Sequence, residues 1–228
     1  MMEFNKDAEL LYLNATDKVY ISELSINGSR ADKTNPKLRF DAPNWVIKDC
    51  VVENGCTAYN VFEQAYGENF RPIKSIKVSG LKVIDPSLLH NVLSAYTFAD
   101  DATIEVCDSE FSLTVDNSNI LRLSNLTNAS NVTVKFKNIK WTYEDSTSKN
   151  TPEWAGIVLY QGCGTDVTTA DGNFSKLKTW KFIFEDCYYN GEKVTENKEG
   201  LNHLIIFYVD KNKEFIDPTE KELNIEIK

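Results

Sequence analysis

The sequence predicts an all-β protein: a single-domain right-handed parallel β-solenoid (β-helix) of about six coils with loop insertions in the last two. Three observations lead there. One eight-residue strand pattern recurs along the chain, a second apolar strand follows each copy, and no helical stretch lies between them.

The pattern reads apolar, x, apolar, x, small or acidic, small or apolar, x, apolar. It occurs at Val19–Ile26, Trp45–Val52, Ile76–Val83, Ile104–Phe111, Val134–Trp141 and Phe182–Tyr189. With the third residue as anchor, the copies fall at 21, 47, 78, 106, 136 and 184, a period near thirty that stretches to 48 at the last step. The second strands are Leu38–Phe40, Tyr59–Phe62, Val92–Leu93, Ile120–Leu123, Ile157–Tyr160 and Leu204–Val209. Alternation gives each strand one buried and one exposed face, but each is too short to be stable within its own repeat. Stacking successive repeats solves this, because like strands then lie parallel and their apolar faces fill one interior. Six coils at about 4.8 Å each make a body about 30 Å long. Handedness rests on the general preference of parallel crossovers.

The fifth position carries Glu23, Asp49, Gly80, Asp108, Asn138 and Asp186. Asp, Asn and Gly tolerate left-handed backbone, so this position is expected to turn a corner. The sixth position (Leu24, Cys50, Leu81, Ser109, Ile139, Cys187) then points inward as a ladder. The solenoid is expected over 18–210. Residues 1–17 form an N-terminal cap or arm, with Leu10, Leu11 and Leu13 as apolar cover. Residues 211–228 form a strand-like tail whose alternating end, 222–228, adds a last strand in this chain or on a neighbour. Residues 142–153 and 161–178 read as projecting loops, the places where a solenoid commonly carries its interactions.

The chain has 228 residues, 42% hydrophobic and 26% charged, enough for one sizeable core. Its net charge of −9 argues against direct binding of nucleic acid and against adhesion to anionic membrane, since both need clustered Lys and Arg. No leader segment or membrane-length apolar run is visible. Five cysteines (Cys50, Cys56, Cys107, Cys163, Cys187) without a CxxC pair read as free thiols of a reducing compartment. Six glycosylation-type sequons, at Asn14, Asn27, Asn125, Asn128, Asn131 and Asn173, read as accidents of an Asn-rich, Ser/Thr-rich chain.

Chemistry-bearing patterns are sparse. His90 and His203 are the two histidines, each read as structural, and no metalloprotease, Walker, nucleophile-elbow or dinucleotide fingerprint is present. Gly162-Cys163-Gly164 reads as a turn. Asp49, Asp108 and Asp186 share a motif position in alternate coils, which separates them by roughly 10 Å, and this suits corner turns better than a retaining hydrolase pair. Asp100-Asp101 reads as a solvated turn. No catalytic residue, cofactor-binding residue or metal ligand is assigned. Aromatic residues concentrate late in the chain: Trp141, Tyr143, Trp154, Tyr160, Trp180, Tyr188 and Tyr189. Trp141 and Tyr189 share the inward eighth position, whereas Trp154 ends a loop and is the candidate exposed anchor.

The coil Trp45–Gly55 (WVIKDCVVENG) resembles right-handed β-helix proteins of the pectate-lyase-like superfamily, and it looks most like their short, non-enzymatic forms in tailed-phage virions. The resemblance covers about residues 18–210 at the level of fold. It implies a virion structural protein without enzymatic activity, assembled in the host cytoplasm: a capsid auxiliary or decoration protein first, a tail or fibre component second. It also implies other virion proteins as partners, and a homo-oligomer such as a trimer. The alternative is a polysaccharide-binding or polysaccharide-cleaving protein, which needs two facing acids, or acids with a basic residue and calcium. A surface adhesin would need an export signal.

Overall fold

A computed structural model describes residues 10–27, 37–53, 60–65, 70–84, 91–114, 119–124, 129–144, 156–161, 178–197, 204–209, 214–216 and 223–228. Among these residues every regular element is a strand.

The chain opens with β1 (Leu10–Asn14) and then repeats a triple. Its first copy is β2 (Lys18–Ser22), β3 (Ser25–Asn27) and β4 (Lys37–Asp41). The second is β5 (Asn44–Lys48), β6 (Val51–Glu53) and β7 (Asn60–Gln64). The third is β8 (Ile73–Ser79), β9 (Lys82–Ile84) and β10 (Asn91–Ala95). Beyond these, the first two segments fuse into one long strand: β11 (Phe98–Thr114) is followed by β12 (Asn119–Ser124), and β13 (Thr133–Glu144) by β14 (Gly156–Gln161). β15 (Lys181–Tyr189) is followed by β16 (Glu192–Lys193), β17 (Ile205–Val209), β18 (Glu214–Ile216) and β19 (Asn224–Ile227).

Like strands stack in parallel. One sheet runs β2-β5-β8-β11-β13-β15, and the other runs β1-β4-β7-β10-β12-β14-β17 before the antiparallel β18. The chain is therefore a parallel β-solenoid. The expectation of about six coils needs correction: three turns carry three separate strands, and beyond them the corner lies inside one long strand. There pairing skips the corner residue and resumes beyond it in the same register, Cys107↔Lys137 and then Ser109↔Ile139.

Register follows the motif. Ile21, Ile47, Val78, Val106, Phe136 and Phe184 lie opposite one another in turn. All except Ile21 are buried. The fifth position turns the corner in every copy: Glu23, Asp49, Asp108, Asn138 and Asp186 have φ between 49° and 56°, and Gly80 has 65°. Corner amides donate forward to the fourth-position carbonyl of the next turn, as in Glu23 N to Lys48 O at 3.0 Å and Asp49 N to Ser79 O at 2.9 Å. A side chain at Gly80 would have to displace the Asp49 carboxylate on the preceding rung, whose Oδ1 lies where a Cβ would go.

Several placements differ from expectation. Within the expected cap, residues 10–14 form a rung of the second sheet, pairing β4 from Leu10↔Lys37 to Asn14↔Asp41, and residues 1–9 lie outside the described residues. Asp100 and Asp101 lie within β11, where a register break between Phe98 and Thr103 absorbs the left-handed Asp101. There Asp100 Oδ1 accepts from Ser130 N at 2.7 Å. Thr142, Tyr143 and Glu144 belong to β13 and Gln161 to β14, while the rest of the two expected loops, apart from the turn at Lys178, lies outside the described residues. The tail does add a strand in its own chain, since β19 pairs β15 in parallel.

Arginine placement was not legible. Arg39, Arg71 and Arg122 all serve the second sheet or its flank. Arg39 pairs the buried Glu63 at 2.8 Å, which also accepts from Asn60 Nδ2 and Tyr96 Oη. Arg71 holds the buried Asp41 at 2.7 Å and reaches Asn14 Oδ1 at 3.0 Å. A forked guanidinium can satisfy a half-buried carboxylate in several directions, which an ammonium cannot.

Candidate functional site

The described residues form a surface cleft of about 630 Å³ over the face that follows the corner, across β9, β11, β13 and the end of β15. Alternation positions its side chains. The inward eighth positions Val83, Phe111 and Trp141 are mutually in register and buried, so beneath the cleft their side chains face the core and only the strands' own backbone faces outward. The outward seventh positions Lys82, Glu110, Lys140 and Tyr188 form one row, also in register. Ile84, Ser112 and Thr142 form the next outward row, and Ile84 is 48% exposed.

Lys140 Nζ stands 3.5 Å from Glu110 Oε1, with the two side chains 61% and 55% exposed. A pair so exposed contributes little to stability, so its charges remain available to a ligand. Glu110 is the one carboxylate among the lining residues, and lysines flank it on both neighbouring rungs. The cleft therefore offers the exposed Ile84, a +/−/+ row, two hydroxyls and a tyrosine. Its lining holds one carboxylate, where glycoside hydrolysis uses a pair.

The corner acids are brought into one row but not into a pair. Gly80 intervenes between Asp49 and Asp108, and Asn138 between Asp108 and Asp186. Each has local company: Lys48 at 3.7 Å from Asp49, Asn138 Nδ2 donating to Asp108 at 2.8 Å, and Lys193 at 2.7 Å from Asp186. Among the described residues no group of three or more His, Cys, Asp or Glu gathers into a metal site.

Three thiols are described, all free. Burial is the first cause that pushes each up: Cys50 is raised, Cys107 reaches about 11 with the Glu105 charge adding, and Cys187 reaches about 12. A thiol held so far above neutrality is no nucleophile at pH 7. Cys56, Cys163, His90 and His203 lie outside the described residues.

The late aromatic cluster serves the core more than the surface. Trp141, Tyr143 and Trp180 are buried, and burial drives the Tyr143 hydroxyl well above its ordinary value. Tyr143 Oη accepts from Gly156 N at 2.8 Å, and Trp180 Nε1 donates to Ala129 O at 2.9 Å. Tyr188 and Tyr189 are half-buried, Tyr160 has no described side chain, and Trp154 lies outside the described residues. Among the described residues the exposed large apolar ones are elsewhere: Tyr12 and Tyr20 on the first strands, and Ile84 in the cleft. The motif aligns the seventh positions Lys82, Glu110, Lys140 and Tyr188, but nothing in it marks their row as a cleft.

No family model, curated protein or solved structure matches the chain.

Proposed function

We propose that this protein is a structural component that acts through protein–protein contacts on a rigid solenoid body with right-handed coils. We place it in a tailed-phage virion, as a capsid auxiliary or decoration protein first and a tail or fibre component second. Its partners are other virion proteins.

The observation that carries this reading is the cleft: the exposed Ile84 beside a row of Lys82, Glu110 and Lys140, with a single carboxylate. Mixed, shallow surfaces of this kind suit a protein partner, with apolar anchors giving affinity and charges fixing register. The ladder beneath is continuous over several turns, so the face keeps its shape under load. The virion placement itself rests on the likeness of coil Trp45–Gly55 to short virion β-helices.

The test measures binding of the purified chain to tailed-phage capsid and tail subunits, beside Ile84→Lys and Lys140→Glu. The reading expects binding to one subunit that either substitution weakens at least roughly tenfold, as for a central contact. Binding to none of them, with binding or cleavage of an acidic polysaccharide instead, would overturn it in favour of the glycan alternative.

A further inference from the structure

The two ends of the solenoid are built to fit each other. At the amino-terminal end β1, β2 and β3 each pair on one side only among the described residues, with β4, β5 and β6. At the far end the outermost strands are β18, β19 and β16, one for each of the three faces.

The best match is β19 with β2. β19 repeats the motif, with Ile225 and Ile227 in register with Phe182 and Phe184, as Trp45 and Ile47 are with Val19 and Ile21. Ile47 and Phe184 inside the stack are buried, whereas Ile21, Ile225 and Ile227 are only partly so. Among the described residues the outer edges of β2 and β19 therefore have no strand paired to them.

Backbone polarity agrees. Fourth-position groups face the preceding turn: Lys48 O accepts from Glu23 N, and Lys228 N donates to Phe184 O at 2.8 Å while Lys228 O accepts from Asp186 N at 3.0 Å. By alternation the amides of Tyr20 and Ser22 face out of the amino-terminal end, and the carbonyl of Ile227 faces out of the other. Ser22 N–H is then placed to donate to Ile227 O as Lys228 N–H donates to Phe184 O.

We propose that copies of this chain stack head to tail, with β19 of one copy pairing in parallel with β2 of the next. The first sheet then runs on through both molecules. Such a contact is heterologous and does not close by symmetry, so it produces a growing row. This goes beyond the cleft and its virion partner, and it is tested on the chain alone.

The experiment is light scattering of the purified chain over a concentration series, beside Tyr20→Pro and Tyr20→Glu. Proline removes an amide that faces out of the end and leaves the ladder to β5 intact. Glutamate, at a position 59% exposed, puts a second carboxylate beside Glu226 of the neighbour without disturbing the backbone. The expected result is a mass that climbs with concentration beyond the 25.9 kDa chain, is cut back by both substitutions, and recovers for Tyr20→Glu in high salt. A mass of one chain at every concentration overturns the proposal, and so does a closed oligomer that neither substitution affects. Neither result bears on whether the cleft binds a virion protein.

Discussion

Asn138 turns its corner at φ 51° and donates from Nδ2 to Asp108 Oδ1 on the preceding rung. Asparagine visits this backbone region at little cost, and alanine does so at about 1–2 kcal/mol. Asn138→Ala is therefore expected to lower unfolding free energy by about 1 kcal/mol, and Asn138→Gly by less. Urea denaturation of the three proteins side by side checks the order. The thiols give a second residue-scale expectation. With Cys107 near 11, roughly one molecule in a thousand carries its thiolate at pH 8. Alkylation of Cys50, Cys107 and Cys187 in the native protein should be slow, and should accelerate by orders of magnitude in denaturant; mass spectrometry of timed quenches reads it.

The closing strand β19 is where charge and pairing meet. Glu226 accepts from Lys181 and from Lys228, and these bonds, in that order, hold its carboxyl down at about 2 from the usual 4.5. Its folded value lies below its unfolded one, so its contribution is complete above about pH 4.5 and is lost as pH falls towards 2. Glu185, lowered by Lys137 first and then by Lys135, works in the same direction on the strand beneath. Release of β19 is expected across that window, read as faster amide exchange at Ile225–Lys228 while the central strands stay protected. The interior of the same ladder is held by packing. Phe136 stacks on Phe184 with centroids 5.8 Å apart and an interplanar angle of 12°, and both rings are buried. Phe136→Ala should cost about 3–5 kcal/mol in denaturant unfolding.

Across the whole molecule, each rung contacts mainly its neighbours, so protection is expected to grade from the ends inward. Amides of β8, β11 and β13, paired on both sides, should exchange slowest, and those of β3, paired on one side over three residues, among the fastest. Hydrogen exchange with mass readout distinguishes this from uniform protection. Between the rungs the described interior is filled by stacked aliphatic and aromatic side chains.

The sequence by itself determined the repeat, its register and its corners, because each is local. Alternation decides which side chains face inward, and only Asp, Asn, Gly or an occasional Glu occupies the left-handed fifth position. The inward ladder from Leu24 to Cys187 follows from that register. Tertiary structure alone decided what stands side by side across rungs. The row Lys82, Glu110, Lys140 and Tyr188 joins residues about thirty or more apart, and no local rule marks them as one cleft. It also decided that Tyr143 is core and that residues 10–14 form a rung, since an amphipathic segment shows which face is apolar but not which surface will cover it. The pairing of Arg39 with Glu63 and of Arg71 with Asp41 belongs to the same class: long-range contacts, set by how turns stack, that burial and charge then select.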